Sequence, residues 1–141
     1  MNNSPLVETI VNVVSEDQEV DHAWISLIFG TEPSFSRNLS HLTSSGHMSP
    51  VRQSLWELRL GELVVDSLDQ ALHAQLGTLG AGADLVAERC NERGWAMSVL
   101  QRVRIFDWGD RPALELSRES LQRLSELNAA WALEIVDLSR E

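Results

Sequence analysis

The sequence contains no lysine, no tyrosine and a single cysteine, Cys90. One thiol excludes an internal disulfide. The opening residues, "MNNSPLVETI", carry no basic run of the kind that begins a secretory leader, so the expected setting is the cytoplasm. No apolar run approaches the roughly 20 residues that cross a bilayer as a helix, so no membrane partner is expected. All eleven basic residues are arginines, against 21 acidic ones, for a net charge of −10. A chain this acidic repels phosphates, which argues against a nucleic-acid partner. It attracts and steers basic proteins instead. What is present is 141 residues, 43% of them hydrophobic, which fits a single domain over 1–141 with one core.

The charge is uneven. Residues 1–21 hold five carboxylates and no arginine, and residues 54–88 hold six against Arg59 alone. Residues 89–111 reverse the balance, with five arginines against three acids.

Hydrophobic periodicity orders the chain. "VETIVNVV", Val7–Val14, is β-branched, with Val7, Thr9, Val11 and Val13 on one face. "SEDQEVD" offers Ser15, Asp17 or Asp21 as a helix cap, and "HAWISLIFG" then reads as a helix over about 20–29. Trp24, Leu27 and Ile28 would form its apolar face, with Gly30 closing it and Pro33 beyond. Residues 34–53 read as a long loop. "SLWELRL", Ser54–Leu60, alternates with Trp56, Leu58 and Leu60 inward. A helix capped by Asp66 or Ser67 carries the stripe Leu68, Leu72, Leu76 and Leu79. "GAGA" then acts as a hinge or tight packing turn. A second piece, Asp84–Arg93, places Leu85, Val86, Arg89 and Cys90 on one side and stops at Gly94.

The longest strand is expected over 95–106, with Trp95, Met97, Val99, Val103 and Ile105 inward. The loop "DWGDRP" (107–112) follows. Ser117 caps a last helix with Leu116 and Leu121 as a hydrophobic staple and Leu121, Leu124 and Leu127 on one face. The final strand, 131–136, turns Trp131, Leu133 and Ile135 inward. The order β-α-β-α-β-α-β predicts an α+β fold: a four-stranded, largely antiparallel sheet with helices on one face and ferredoxin-like character.

Four segments resemble the bacterial family called domain of unknown function 4279. Its members have a helix ending in Leu-Gly-x-x-Pro-Ser/Thr, here "FGTEPS" (Phe29–Ser34). A strand beginning with Trp corresponds to "LWELRL", and a Leu-Ser-x-x-x-Leu helix to "LSRESLQRL" (Leu116–Leu124). A hydrophobic-acidic closing strand corresponds to "WALEIVDL". This chain departs from the family after Ser34, where "NLSHLTSSGHMSP" replaces a basic residue and glycine. The resemblance supports the helix over about 20–29 and implies no established activity. Small acidic bacterial proteins of this kind serve, by analogy of size and charge, as immunity proteins against toxins.

Chemistry-bearing residues are few. His41 and His47 share the 34–53 loop with several serines, but no ligand spacing for a metal and no nucleophile-elbow pattern appears. Neither a metal nor another cofactor is expected, and catalytic residues are not assigned. Cys90 reads as a packed thiol. Asp107 and Asp110 flank Trp108, and the pair reads either as acid and base or as ordinary turn residues. Trp108 reads either as an exposed anchor or as a lid on the core. The outward sheet face would hold Glu8, Ile10, Leu55, Glu57, Arg59, Leu100, Arg102, Arg104, Glu134 and Val136. That mixture suits either a protein interface or a dimer, or else cross-strand pairing on an open sheet.

The expectation is a non-enzymatic protein-binding module, concretely an immunity or antitoxin-like inhibitor that occludes a basic toxin. Its contacts would be Trp108, Asp107, Asp110, Glu57, Arg59, Arg102, Arg104 and Glu134. One alternative is a small ligand-binding domain or enzyme with its site between the 34–53 and 107–112 loops. Another is a homo-oligomeric structural protein, with a possible homodimer through the open sheet.

Overall fold

A computed structural model describes residues 4–39 and 53–139. In chain order it has β1 (Leu6–Ser15), α1 (His22–Phe29), β2 (Phe35–Arg37), β3 (Ser54–Val64), α2 (Leu68–Leu79) and α3 (Ala81–Arg93). Then follow β4 (Ala96–Ile105), a 3₁₀ turn (Trp108–Asp110), α4 (Arg118–Glu126) and β5 (Ala130–Asp137).

The fold is α+β, with a five-stranded mixed sheet ordered β2-β3-β1-β4-β5. β1 is central and antiparallel to both β3 and β4. β3 and β4 therefore run parallel to each other on either side of it, joined by α2 and α3: a split β-α-β unit. β5 adds to β4 directly and in parallel, through α4. Two features correct the expected four-stranded antiparallel sheet. A short strand, β2, forms inside the expected 34–53 loop and covers the edge of β3. The second crossover has no strand between its ends, where a ferredoxin-like sheet would have one. β3, with 11 residues, is also longer than the 10-residue β4.

The helices share one face of the sheet. Val11, Val13, Trp56, Met97 and Val99 pack there against Leu72, Leu76, Val86, Cys90 and Leu124. A second cluster joins Val7, Val103 and Ile105 to Leu68 and Ala71. Trp56 is 0% exposed, donates to Ser26 Oγ at 3.0 Å and meets the Phe29 ring at 5.4 Å.

"HAWISLIF" is indeed a helix, capped by Asp21, whose side chain accepts from Trp24 N, and ended by Gly30 in the left-handed region at φ 71°. Its buried face matches the expected one in part. Ile25 is buried, with Trp24, Ile28 and Phe29 packed against the core, while Leu27 is 76% exposed. α3 lies against this face: Arg89 stands 4.0 Å from the centre of the Trp24 ring, and a Cβ on Gly82 would lie 3.2 Å from the Ile28 carbonyl, so the two helices approach closely there. "GAGA" is thus both a break, with Gly80 at φ 57°, and a packing turn.

In β3, Leu60 and Gly61 together oppose Thr9 alone, a β-bulge at which Gly61 takes φ 93°. The extra residue reverses the alternation. Trp56, Leu58 and Leu60 face the helices before the bulge, and Leu63 does so after it.

Ser67 and Ser117 cap α2 and α4 as expected. Three inward expectations fail. Leu85, Leu121 and Ile135 are exposed, because α3 and α4 each bury a narrower stripe and β5 is an edge strand with little above its end. Gln101 lies on the helix-facing side among apolar neighbours and is fully buried. Its amide donates to the Leu68 carbonyl at 3.0 Å and accepts from Trp131 Nε1 at 2.9 Å, tying α2, β4 and β5 together.

Candidate protein-binding face

Among the described residues, no helix lies on the sheet's other face. Its side chains fall into rows fixed by register. Leu6, Val64, Arg104 and Val136 form the first row. Glu8, Glu62, Arg102 and Glu134 form the second. Ile10, Arg59, Leu100 and Ala132 form the third. Asn12, Glu57, Phe35, Ser98 and Ala130 form the fourth, and Val14, Leu55, Arg37 and Ala96 the last. The charged second row is flanked by apolar groups above and below.

The charges are matched within the face. Arg102 lies 3.2 Å from Glu134 and 3.5 Å from Glu8. Arg104 lies 2.8 Å from Glu62, and Arg59 3.5 Å from Glu57. Such cross-strand pairs contribute a few tenths of a kcal/mol each, to about 1. Arg37 sits 6.0 Å from the centre of the Phe35 ring. Asn12, at the middle of the face, has a buried side-chain oxygen with no hydrogen-bond partner.

Acidic groups gather at both ends of the face. At one end, Glu16, Asp17 and Asp21 follow β1. At the other, Asp66, Asp107 and Asp110 lie where β3 and β4 end. Trp108 belongs to this second end. It is 45% exposed, and the Arg111 guanidinium lies 5.3 Å from the centre of its ring. Asp107 caps the turn by accepting from Gly109 N at 3.0 Å. Asp110 lines a shallow cleft with Ser4, Pro5, Val64 and Arg111.

All ten residues expected on the outward face therefore share it, including Glu57, Arg59, Arg102, Arg104 and Glu134. Trp108, Asp107 and Asp110 flank one end. Phe35, Arg37, Glu62 and Val64 were missed. Phe35 and Arg37 lay in a segment read as loop. Glu62 and Val64 turn to this face only because Gly61 reverses the alternation, and an isolated glycine in an alternating run is the sequence signal for such a bulge.

His41 and His47 lie outside the described residues. The flanks of their loop, Leu39 and Gln53, emerge at the Ser15 and Ser54 end, opposite the 107–112 loop. A serine, histidine and glutamate do meet there. Ser54 Oγ donates to Glu19 at 2.9 Å and lies 3.4 Å from His22 Nε2. The hydroxyl also accepts from Val20 N and is fully buried, so it joins elements rather than facing a substrate. Glu19 accepts from Leu39 N as well, at 2.5 Å. Burial pushes the Cys90 thiol up to about 11, which keeps it protonated and unreactive near neutral pH. Among the described residues, no group of three or more His, Cys, Asp or Glu is placed to hold a metal, and no helix is long and apolar enough to cross a membrane.

No protein-family model, curated protein or solved structure matches this chain.

Proposed function

We propose that the protein is a non-enzymatic, cytoplasmic protein-binding module that uses the helix-free sheet face, with an immunity-type inhibitor of a basic toxin as its concrete form. The observation that carries this reading is the layout of that face. Apolar groups, Ile10 and Leu100 within the face and Leu55 and Val136 toward its two ends, are crossed by ion pairs already matched among themselves, and acidic groups stand at both ends. Protein interfaces likewise combine apolar area with polar and charged groups. The matched pairs leave little unpaired charge to desolvate, while the acidic ends and the net charge of −10 steer a basic partner toward the face. Trp108, half exposed in the turn that follows β4, would anchor one end.

The test is capture of partners from the source organism's lysate on tagged protein, with Leu100→Arg and Trp108→Ala as variants and sedimentation of the purified chain alongside. One stoichiometric basic protein, lost with Leu100→Arg and weakened by Trp108→Ala, is the expected result. A dimer that Leu100→Arg dissociates would move the face to self-association. Capture indifferent to Leu100→Arg would remove the face from the reading.

A further inference from the structure

The helix layer, on the opposite side of the sheet, holds a cleft of about 440 Å³ between α2 and α4. Leu72 and Leu76 form its apolar floor, and Glu119, Arg123 and Glu126 stand along its α4 wall. Gly77, in the last turn of α2, lines it too. This glycine has no conformational reason to be one, since it is not among the residues with positive φ. Nor has it a packing reason, because a Cβ placed there would meet nothing within 4 Å. A glycine in a helix costs stability relative to alanine, and here it leaves a stretch of the cleft wall without a side chain.

The charge of the cleft has a definite sign. Arg123, the guanidinium on its wall, is already held by Asp84 through two hydrogen bonds of 2.6 and 3.0 Å and by Glu126 at 3.5 Å. Asp69, beneath Ser120, accepts from Ser120 Oγ at 2.6 Å and from Ser117 N at 2.8 Å. Glu119 has no ion-pair or hydrogen-bond partner among the described residues. Glu119 and Glu126 thus line the cleft together with one guanidinium, Arg123, and one imidazole, His73, while Asp69 and Asp84 stand behind the lining on Ser120 and Arg123.

We propose that this cleft binds a small organic cation, a molecule with an apolar body and one ammonium group. The apolar body lies on Leu72 and Leu76 against the bare face of Gly77, and the ammonium meets Glu119. The cleft's size is that of an ordinary small-molecule site, and its net negative charge selects the cation over neutral and anionic analogues of the same shape.

The test is an NMR titration of the full chain with 2-phenylethylammonium, 2-phenylethanol and phenylacetate. The ammonium should shift the amides of Gly77, Gly80 and Glu119, the alcohol should bind about tenfold more weakly, and phenylacetate should leave these amides unmoved. Glu119→Gln should bring the ammonium's affinity down to that of the alcohol. Gly77→Leu should abolish binding by filling the cleft, with a Tm no lower than that of the parent chain, since its side chain enters open space. The proposal is overturned if the ammonium moves none of these amides, if the alcohol binds as well, or if Gly77→Leu binds unchanged.

Discussion

The two faces of one sheet solve the same problem in different ways. On the helix-covered face, Val7, Val11, Val13, Trp56 and Val99 are sealed by α1 to α4, and the buried polar group among them, Gln101, has its carbonyl and amide both engaged. On the open face nothing among the described residues lies above the strands, yet Ile10 is only 1% exposed. Its cover is lateral: Arg59 and Leu100 stand directly across in register, and the Glu8–Arg102–Glu134 row lies beside it. Long charged side chains cover apolar neighbours with their stems while their heads stay wet. The covered face is built for stability. The open face covers Ile10 with its neighbours but leaves Val64 61% and Phe35 49% exposed, apolar surface that the proposed binding role would use.

That contrast can be broken or sharpened by substitution. The largest effect is expected at Trp56. Trp56→Ala should cost about 3–5 kcal/mol in urea unfolding, whereas Leu100→Ala on the open face should cost under about 1.5. Equal losses would mean that the open face is a second core. Next in size is Gln101→Leu. It leaves the Trp131 indole N–H without a partner and removes the tie from β4 to the Leu68 carbonyl, and should cost about 2 kcal/mol despite the more apolar side chain. A neutral result would show that the junction contributes nothing beyond packing.

The smallest is Asp69→Asn, expected to cost about 1 kcal/mol at pH 7. The Ser120 hydroxyl and the Ser117 N–H hold the Asp69 carboxyl below its ordinary 3.8. A depressed folded-state pKa stabilises the fold above the unfolded value. The difference between parent and variant should therefore be constant from pH 5 to 7, and shrink as pH falls below 3.8 through the folded-state pKa. A difference that does not change with pH would assign the effect to geometry rather than charge.

Much of this architecture was legible in the sequence, because caps and stops are local. Asp21, Ser67 and Ser117 cap where their positions suggest, and Gly30, Gly80 and Gly94 adopt the positive φ that ends a helix. The motifs behind the family resemblance are largely punctuation of this kind: "FGTEPS" is a helix stop, and "LSRESLQRL" is a capped helix. What stayed hidden depends on neighbours distant in sequence. In "HAWISLIF", Trp24 and Ile28 pack as the period suggests, but Ile25 and Phe29 join them in place of Leu27 on the side where α3 approaches at Gly82 and Arg89. β2 exists because β3 offers it an edge, and the three residues "FSR" carry no signal of their own. The outward face was readable because alternation is local. The α2/α4 cleft was not, because no sequence period reports which helices stand side by side.

β5 is an edge strand of eight residues, "AWALEIVD", paired on one side only among the described residues, with no proline and no bulge and with Glu134 and Asp137 as its charges. Such an edge is a template for strand-to-strand aggregation. The guard against it is long-range: at pH 7 each molecule carries a net charge of −10 and repels its copies. Colloidal stability is therefore delegated to the acidic residues as a group, and the chain is most exposed to precipitation through this edge near its isoelectric point of about 4.7. The acidity that the sequence shows first is also what allows an unguarded strand to exist.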